Sequence, residues 1–194
     1  MENTTAVIIL AAGSSSRLGE PKQLLNYKGK TLLRHTADEA LLITEKVVVV
    51  TGEENPQIAE QITGLHHVRN ENWSEGMASS LKVGLKKTLQ RFPETEQLIF
   101  TVCDQPFITS SVFKALIEKK NTSPKGIIAS AYAETLGVPV LFSSSYIQEL
   151  LTLKGQEGAR KLILHYLDDT DSIPFEQGRW DIDTPEDYKK LINS

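Results

Sequence analysis

The chain has 194 residues, of which 40% are hydrophobic and 24% charged, the balance of a globular protein rather than a disordered one. Its formal charge of −4 argues against general affinity for nucleic acids or anionic membranes, so neither is an expected partner. The single cysteine, Cys103, excludes an internal disulfide, and no apolar run approaches the roughly 20 residues of a membrane helix. With a polar N-terminus unlike a signal peptide, we expect a cytoplasmic protein of one domain, residues 1–194, that acts on a small molecule.

Short apolar, β-branched runs alternate with helical patterns along the first part of the chain. The apolar runs cover residues 7–11, 47–50 and 98–103. The helical patterns cover residues 32–41, 77–89 and 112–117. Continuous apolar runs of this length are typical of strands buried on both faces of a parallel sheet. The alternation predicts a three-layer α/β/α, Rossmann-like fold, with ligands at the carboxyl ends of its strands.

The later part of the chain has a different pattern. Residues 126–132 and 138–142 are two strand candidates close together, which predicts a hairpin or an insertion into a mixed sheet. Residues 146–151 and 159–167 have helical patterns.

The C-terminal segment is predicted to pass from a strand into a helix. Residues 180–183, Trp-Asp-Ile-Asp, are predicted to be a short strand end. Thr184 then provides an N-cap, Pro185 the first helical position and Asp187 the third, which predicts the last helix.

A loop rich in alanine, glycine and serine follows the first strand, over residues 11–22. Small side chains expose backbone N–H groups that can surround phosphate oxygens, and Arg17 and Lys22 add positive charge there. The loop has neither a GxGxxG pattern nor a GxxxxGK[ST] pattern, because Glu20 follows Gly19. We predict a phosphate-binding loop; the alternative is a polar connection carrying two solvated cations.

Three carboxylates are candidates for holding a divalent cation. Asp104 comes directly after the third strand, where α/β sheets place their ligands, and a carboxylate suits Mg²⁺. Asp181 and Asp183 alternate along the predicted strand end, so their side chains would point to one side. The alternatives are that Asp104 caps a turn and that Asp183 belongs to the cap of the last helix.

The segment 70–81 is a polar loop that enters a predicted helix. Its first turn offers Ser79, Ser80 and free backbone N–H groups, which could hold a base or a sugar. The alternative is a simple helix start with Met77 packed in the core. Cys103 is also predicted to pack in the core, as free cysteines usually do.

These motifs resemble those of a known family. Residues 10–22, LAAGSSSRLGEPK, resemble the signature loop LAAGxSxRxGxxK of GT-A-type nucleotidyltransferases. The order of that loop, CDQP at 103–106 and DIDTPEDY at 181–188 is similar to the molybdenum cofactor nucleotidyltransferases (MobA/MocA-like), nearest to their cytidylyltransferase branch. Further resemblances are those of residues 70–81 to NPxWxxGMxxSL, 137–142 to GHPVLF and 155–160 to GDxGAR.

The resemblance implies a GT-A-type fold with a mostly parallel, mixed central sheet. The implied reaction transfers CMP from CTP to the phosphate of molybdopterin cofactor and releases pyrophosphate, with Mg²⁺, or alternatively Mn²⁺, as the metal. The N-terminal part would bind the nucleotide, residues 120–180 would face the acceptor, and a molybdoenzyme receiving the product would be a transient partner. The implied nucleotide-binding residues are Leu10, Ala11, Ala12, Gly13, Ser14, Arg17, Lys22, Gly76, Met77, Ser79 and Ser80. The implied catalytic residues are Lys22, Arg17 and Asp104, and the implied metal ligands are Asp104, Asp183 and Asp181.

Two departures from the family motifs leave the acceptor open. Val138 stands where GHPVLF has histidine, and Gln156 where GDxGAR has an acid. The alternatives are a transferase for a sugar phosphate or another small phosphorylated acceptor, and a non-catalytic nucleotide- or cofactor-binding module. The sequence Ala-Ala-Gly at 11–13, in place of a Gly-Gly pair, resembles the cytidylyl form and disfavours GTP, although another NTP stays open.

Overall fold

The computed structural model describes residues 4–193, and a mixed sheet of seven strands is its central layer. The strands β1 to β9 are Thr5–Ala11, Asn26–Tyr27, Lys30–Thr31, Val47–Thr51, His66–Arg69, Gln97–Val102, Ile127–Tyr132, Thr135–Ser143 and Thr170–Pro174. The helices α1 to α7 are Leu32–Leu41, Pro56–Gln61, Met77–Arg91, Ser110–Thr122, Ile147–Thr152, Ala159–His165 and Pro185–Ile192. The short strands β2 and β3 form a separate antiparallel pair.

The central sheet has the order β5–β4–β1–β6–β8–β7–β9. Its first four strands are parallel, β8 runs antiparallel to both β6 and β7, and β9 is parallel to β7. The prediction of a hairpin in a mixed sheet is therefore confirmed. Its two-residue turn is formed by Ala133 and Glu134, both with positive φ, as the tight turns of β-hairpins require.

Helices cover both faces of the sheet, which confirms the three-layer α/β/α architecture. Within β1, Val7 and Ile9 contribute to the core on the face of α1 and α4, whereas Ile8 contributes to the core on the face of α3, α5 and α6. Because both faces are covered, β1 and β4 are continuous apolar runs rather than alternating ones. Cys103 is 2% exposed and packs in the first of these cores, as predicted.

Helix α3 lies unusually close to the sheet because it carries a glycine where it crosses the strands. A Cβ on Gly84 would stand 2.6 Å from Val50 Cγ2 and 2.7 Å from Ile8 Cγ2. This approach fixes α3 on β1 and β4, so that its first turn lies near the carboxyl ends of those strands.

The C-terminal segment corrects one prediction and confirms another. Residues 180–183 are not a strand: the backbone N–H of Ile182 donates to the Asp104 carbonyl at 2.9 Å, which is one hydrogen bond rather than a ladder. The cap of α7 is as predicted, since Asp187 N–H donates to Thr184 Oγ1 at 3.2 Å and Thr184 N–H donates to Asp187 Oδ2 at 3.0 Å.

Other differences lie at the ends of elements and at the edges of the sheet. The helix expected over 159–167 ends at His165 and is followed by a 3-10 turn. The edge strand β9 and the short helix α2 have no counterpart among the predicted elements. Among residues 4–193, the longest apolar stretch in any helix falls short of what a membrane crossing needs.

Candidate active site

The site lies where β1 and β6 end side by side. Leu10 and Val102 are partners in the parallel register of these strands. The chain leaves β1 into the glycine- and serine-rich loop and leaves β6 into Asp104. Two segments 90 residues apart in sequence therefore meet at one edge of the sheet, as expected for ligand sites of α/β proteins.

Lys22 lies between two carboxylates at this edge. Its Nζ is 2.5 Å from Asp104 Oδ2 and 3.2 Å from Asp183 Oδ1, and its side chain is only 13% exposed. Burial by itself lowers the pKa of Lys22, but the attraction of Asp104 and then of Asp183 outweighs burial and raises that pKa to about 12. The ammonium therefore keeps its charge throughout the neutral range.

Arg17 extends the cluster toward solvent. Its guanidinium donates to Asp183 Oδ2 at 2.8 Å, and its side chain is 70% exposed. Asp183 thus accepts from one buried and one exposed cation, one on each carboxylate oxygen. The side chains of Asp104 and Asp183 bind cations here. The backbone N–H of Asp183 also donates to Asp187 Oδ2 at 3.4 Å, so Asp183 takes part in the cap of α7 as the alternative had it.

The loop after β1 is held in shape by a residue that the sequence analysis did not single out. Gln23 is 4% exposed, and its Nε2 donates to the Ala11 carbonyl at 2.7 Å. Ser15 Oγ accepts from the backbone N–H of Lys22 at 2.8 Å, and Leu18 is buried against the core beneath α7. These contacts place Lys22 and Arg17 on the same side as Asp104 and Asp183.

A cavity of about 450 Å³, here named the central cavity, opens between this loop, the start of α3 and the carboxylates. Its volume falls in the range of small-molecule sites. The predicted nucleotide-binding, catalytic and metal-binding residues that line it are Leu10, Ala11, Ala12, Gly13, Ser14, Arg17, Lys22, Gly76, Met77, Ser80, Asp104 and Asp183. Lining residues that the sequence analysis did not assign as site residues include Gln23, Trp73, Ser74 and Gln156. Ser79 and Asp181 do not line it.

The start of α3 packs on the loop that carries Gln156. Gly76 has a φ of 121°, and a Cβ there would lie 2.3 Å from the Gly155 carbonyl oxygen. The backbone N–H of Ala78 donates to that same oxygen at 3.1 Å. Met77 is 48% exposed and lies against Gly158, so the alternative that places Met77 in the core is wrong.

Unlike Asp104 and Asp183, Asp181 does not line the central cavity. Desolvation, and then the negative charge of Asp104, raise its pKa to about 6. The strand that would have aligned it with Asp183 is absent, and residues 4–193 contain no group of three or more Asp, Glu, His or Cys placed to hold a metal ion. Its assignment as a metal ligand stays a prediction.

A second cavity of about 370 Å³, here named the side cavity, lies across the loop and shares Ala11–Ser14, Gln23 and Trp73 with the central cavity. Its far wall carries Glu53 and Glu54. Those carboxylates have no cation among the residues that line the side cavity, whereas the central cavity balances Asp104 and Asp183 with Arg17 and Lys22. Charge therefore favours the central cavity for a phosphate chain.

The geometry of Asp104 and Asp183 suits a divalent cation. One oxygen of each carboxylate already converges on a single positive charge, the Lys22 ammonium. Carboxylate oxygens are the ligands that hard cations such as Mg²⁺ and Mn²⁺ prefer. Two such ligands, with open space beside them in the central cavity, leave room for a cation that also contacts phosphates.

Comparison with known proteins identifies the family to which the chain belongs. The molybdenum cofactor cytidylyltransferase of Escherichia coli K12 is 26% identical over 186 residues, covering 93% of this chain and 92% of the relative. Nicotine blue oxidoreductase of Paenarthrobacter nicotinovorans is 28% identical over 201 residues, covering 95% of each.

Solved structures superpose on nearly the whole chain. Rv0371c of Mycobacterium tuberculosis H37Rv superposes with a TM-score of 0.84 at 29% identity, covering 98% of this chain and 97% of that chain. Its complex with manganese superposes with a TM-score of 0.79 at 26% identity and covers 98% of each chain. The family model of the MobA-like NTP transferase domain matches residues 7–170. The chain therefore belongs to the MobA-like NTP transferase domain family and is a nucleotidyltransferase.

Proposed function

We propose that this nucleotidyltransferase transfers CMP from CTP to the phosphate of molybdopterin cofactor and releases pyrophosphate. The observation that carries the proposal is the cluster of Lys22, Asp104 and Asp183 in the central cavity, beside the loop after β1. It combines a fixed cation for phosphate with two carboxylates for a metal. The choice of CTP rests on Ala-Ala-Gly at residues 11–13 and on the E. coli relative, whose name is that of a cytidylyltransferase.

Asp104 and Asp183 would hold Mg²⁺ or Mn²⁺ in this reaction. Such an ion, when bound, neutralises phosphate charge and orients the phosphate oxygens. With the carboxylates so engaged, the Lys22 ammonium is free to bind the polyphosphate, and Arg17 at the rim adds a second cation. The manganese complex of Rv0371c supports a divalent metal in this fold.

The chemistry asks the protein for position and charge rather than for proton transfer. An oxygen of the acceptor phosphate attacks the α-phosphorus, a P–O bond forms, and the bond to the β-phosphate oxygen breaks as pyrophosphate leaves. The attacking phosphate is already anionic, so no general base is required. Lys22, with a pKa of about 12, stays protonated and stabilises the developing charge without donating its proton.

We further propose that the acceptor binds on the side of residues 120–180. Gln156 carries this part of the proposal, because it reaches the central cavity from the loop after α5. Gln156 is uncharged where the family motif has an acid, and this difference favours a second candidate function. That candidate transfers the nucleotidyl group to a sugar phosphate or another small phosphorylated acceptor.

Pyrophosphate release tests the proposal. Each of CTP, GTP, UTP and ATP is supplied with Mg²⁺ or Mn²⁺, with and without molybdopterin cofactor and with a panel of sugar phosphates. We expect release only when CTP and molybdopterin cofactor are both present. Release with an NTP and a sugar phosphate, but not with molybdopterin cofactor, would support the second candidate. Nucleotide binding without any pyrophosphate release would support a non-catalytic module.

Variants assign the residues in the same assay. Lys22→Ala and Asp104→Ala should each lower turnover by several orders of magnitude, because the first removes a cation from the phosphate chain and the second removes a ligand of the metal. Lys30→Ala is the matched control, since Lys30 pairs with Asp38 outside the central cavity. Near-normal turnover in both site variants would contradict the assignment.

A further inference from the structure

Asn70 is a buried polar residue beside the central cavity whose contacts the proposed reaction does not explain. It follows β5 directly and is 2% exposed. Its backbone N–H donates to the Thr51 carbonyl at 2.8 Å, which extends the parallel ladder of β4 and β5 and fixes the position of the residue.

The hydrogen bonds of Asn70 define which way its side-chain amide points. The backbone N–H of Asn72 donates to Asn70 Oδ1 at 3.1 Å. A backbone N–H can only donate, so the oxygen must face Asn72 and the NH₂ group must face the opposite way. That NH₂ group donates to Ser79 Oγ and to Ser80 Oγ, each at 2.9 Å.

The two serines differ in what is left for a ligand. Ser79 Oγ donates back to Asn70 Oδ1 at 3.1 Å, so the Ser79 hydroxyl both accepts and donates a hydrogen bond within the protein. Ser80 Oγ accepts from Asn70, and no acceptor for the Ser80 proton is found in the part of the chain that the structure describes. Ser80 also lines the central cavity, whereas Ser79 does not. The Ser80 hydroxyl is therefore available as a donor toward the cavity.

We propose that Asn70 is a positioning residue that holds the Ser80 hydroxyl as a hydrogen-bond donor to a carbonyl oxygen of the nucleobase. Arg17 and Lys22 attract the phosphate chain at the carboxylate end of the cavity, which leaves the nucleoside for the start of α3. A ribose hydroxyl can donate or accept, so a donor of fixed polarity would not select it. A base carbonyl can only accept, so the polarity set by Asn70 matters for the base. This inference rests on the proposed function for the identity of the nucleotide.

The test is the substitution Asn70→Asp, which keeps the shape of the side chain and reverses its polarity. A carboxylate only accepts, so Ser80 would turn its proton to residue 70 and away from the cavity. We expect the dissociation constant for CTP with Mg²⁺, measured by titration calorimetry, to rise about tenfold, the scale of one neutral hydrogen bond. Binding of inorganic tripolyphosphate, which has no base, should be unchanged. KM for CTP should rise while kcat at saturation stays within about threefold.

Ser80→Ala is the partner variant, and Thr122→Ala is the matched control. Ser80→Ala should weaken CTP to the same extent as Asn70→Asp, and the double variant should bind CTP no more weakly than either single variant. Thr122→Ala removes an exposed hydroxyl from α4, outside the central cavity, and should leave CTP binding within about twofold. A purely structural role for Asn70 would instead weaken CTP and tripolyphosphate together, or give losses that multiply in the double variant.

A buried carboxylate at residue 70 could also prevent folding, so Asn70→Ala provides an independent variant. Removing the amide lets the Ser80 hydroxyl rotate, and we expect a loss of about threefold that disappears in the Ser80→Ala background. Unchanged CTP affinity in a folded Asn70→Asp protein, or losses that multiply with Ser80→Ala, would overturn the inference. The proposed reaction could still stand, because pyrophosphate release by the unmodified enzyme is measured separately. If CTP binds but no pyrophosphate is released, the proposed reaction is overturned. The role of Asn70 is then judged from the dissociation constants of its variants alone.

Discussion

Replacing Lys22 with methionine isolates the charge of the buried ammonium, since methionine keeps an unbranched apolar stem of similar reach. In the structure this ammonium neutralises Asp104 at 2.5 Å and Asp183 at 3.2 Å. Lys22→Met leaves those two carboxylates facing each other with only the exposed Arg17 nearby. We expect a lower Tm without metal and a larger rise in Tm when a divalent cation is added.

The pKa of Lys22 gives the size of the effect. That pKa rises from 10.5 to about 12, and about 1.4 kcal/mol per pH unit converts the rise to about 2 kcal/mol. For a protein of this length, 1 kcal/mol moves Tm by about 2–4 °C, so Lys22→Met should lower Tm by about 4–8 °C in EDTA. Lys30→Met is the control, because Lys30 is half exposed in its pair with Asp38 and such pairs contribute about 0–1 kcal/mol.

Thermal unfolding in EDTA and then in millimolar Mn²⁺ measures both effects. A ligand that binds only the folded state stabilises it by RT ln(1 + [L]/Kd), so tighter binding at a given ligand concentration raises Tm more. Mn²⁺ should therefore raise Tm more in Lys22→Met than in the unmodified protein, where it competes with the ammonium. Equal losses for Lys22→Met and Lys30→Met, or equal Mn²⁺ responses in Lys22→Met and the unmodified protein, would refute this account of the cluster.

Three further predictions follow from contacts elsewhere. In a Trp180→Phe protein the sole tryptophan is Trp73, which lines the central and side cavities, so CTP with Mg²⁺ should change its fluorescence; constant emission during binding seen by calorimetry would contradict this. The Tyr146 hydroxyl donates to Asp169 at 2.5 Å and, with the Gly126 N–H, lowers the pKa of Asp169 below its ordinary 3.8. The stability this gives is present above about pH 4 and lost as the pH falls through the lowered pKa. Asp169→Asn should therefore lower the free energy of unfolding, measured by urea titration, by about 1 kcal/mol at pH 7. It should also make that free energy depend less on pH below about pH 4, and an unchanged pH dependence would contradict the prediction. Gly84→Ala should destabilise the protein by about 1–2 kcal/mol, since overpacking against β1 and β4 outweighs the gain in helix propensity, while activity per folded molecule is kept; a stabilised variant would show that α3 can shift freely.

The sequence predicts those parts of the fold and site that depend on local pattern. Continuous runs such as Val47–Val50 predict buried strands, and the rule that ligands lie at strand ends brings Asp104 and the loop after β1 together. The segment 70–81 was a predicted site, but the individual roles of Gln23 and Asn70 were not predicted, because their hydrogen bonds join segments whose proximity only the folded chain defines. The edge strand β9, Thr170–Pro174, is polar and ends in proline, so its pairing with β7 has no apolar pattern to reveal it.

The segment 180–183 is the opposite case, in which the local pattern predicts a strand that the structure does not contain. Its alternation of Trp, Asp, Ile and Asp fits a strand over four residues, but a strand also needs a neighbour with free backbone groups. Here β6 already pairs with β1 and β8, so the chain crosses its end with the single hydrogen bond from Ile182. That crossing still brings Asp183 to Lys22, although the predicted strand is absent.

The backbone contact between Gly76 and Gly155 bears on how enzymes of this family can diverge. The Gly155 carbonyl accepts from the first turn of α3, and no side chain fits between the two glycines. An insertion in that loop would uncap α3 and disturb the serines beside it, so changes of length there carry a penalty in nucleotide binding. A change of side chain at Gln156, one residue further on, carries no such penalty. Under the proposed acceptor role of this rim, a point substitution at Gln156 is the simplest route to a new acceptor.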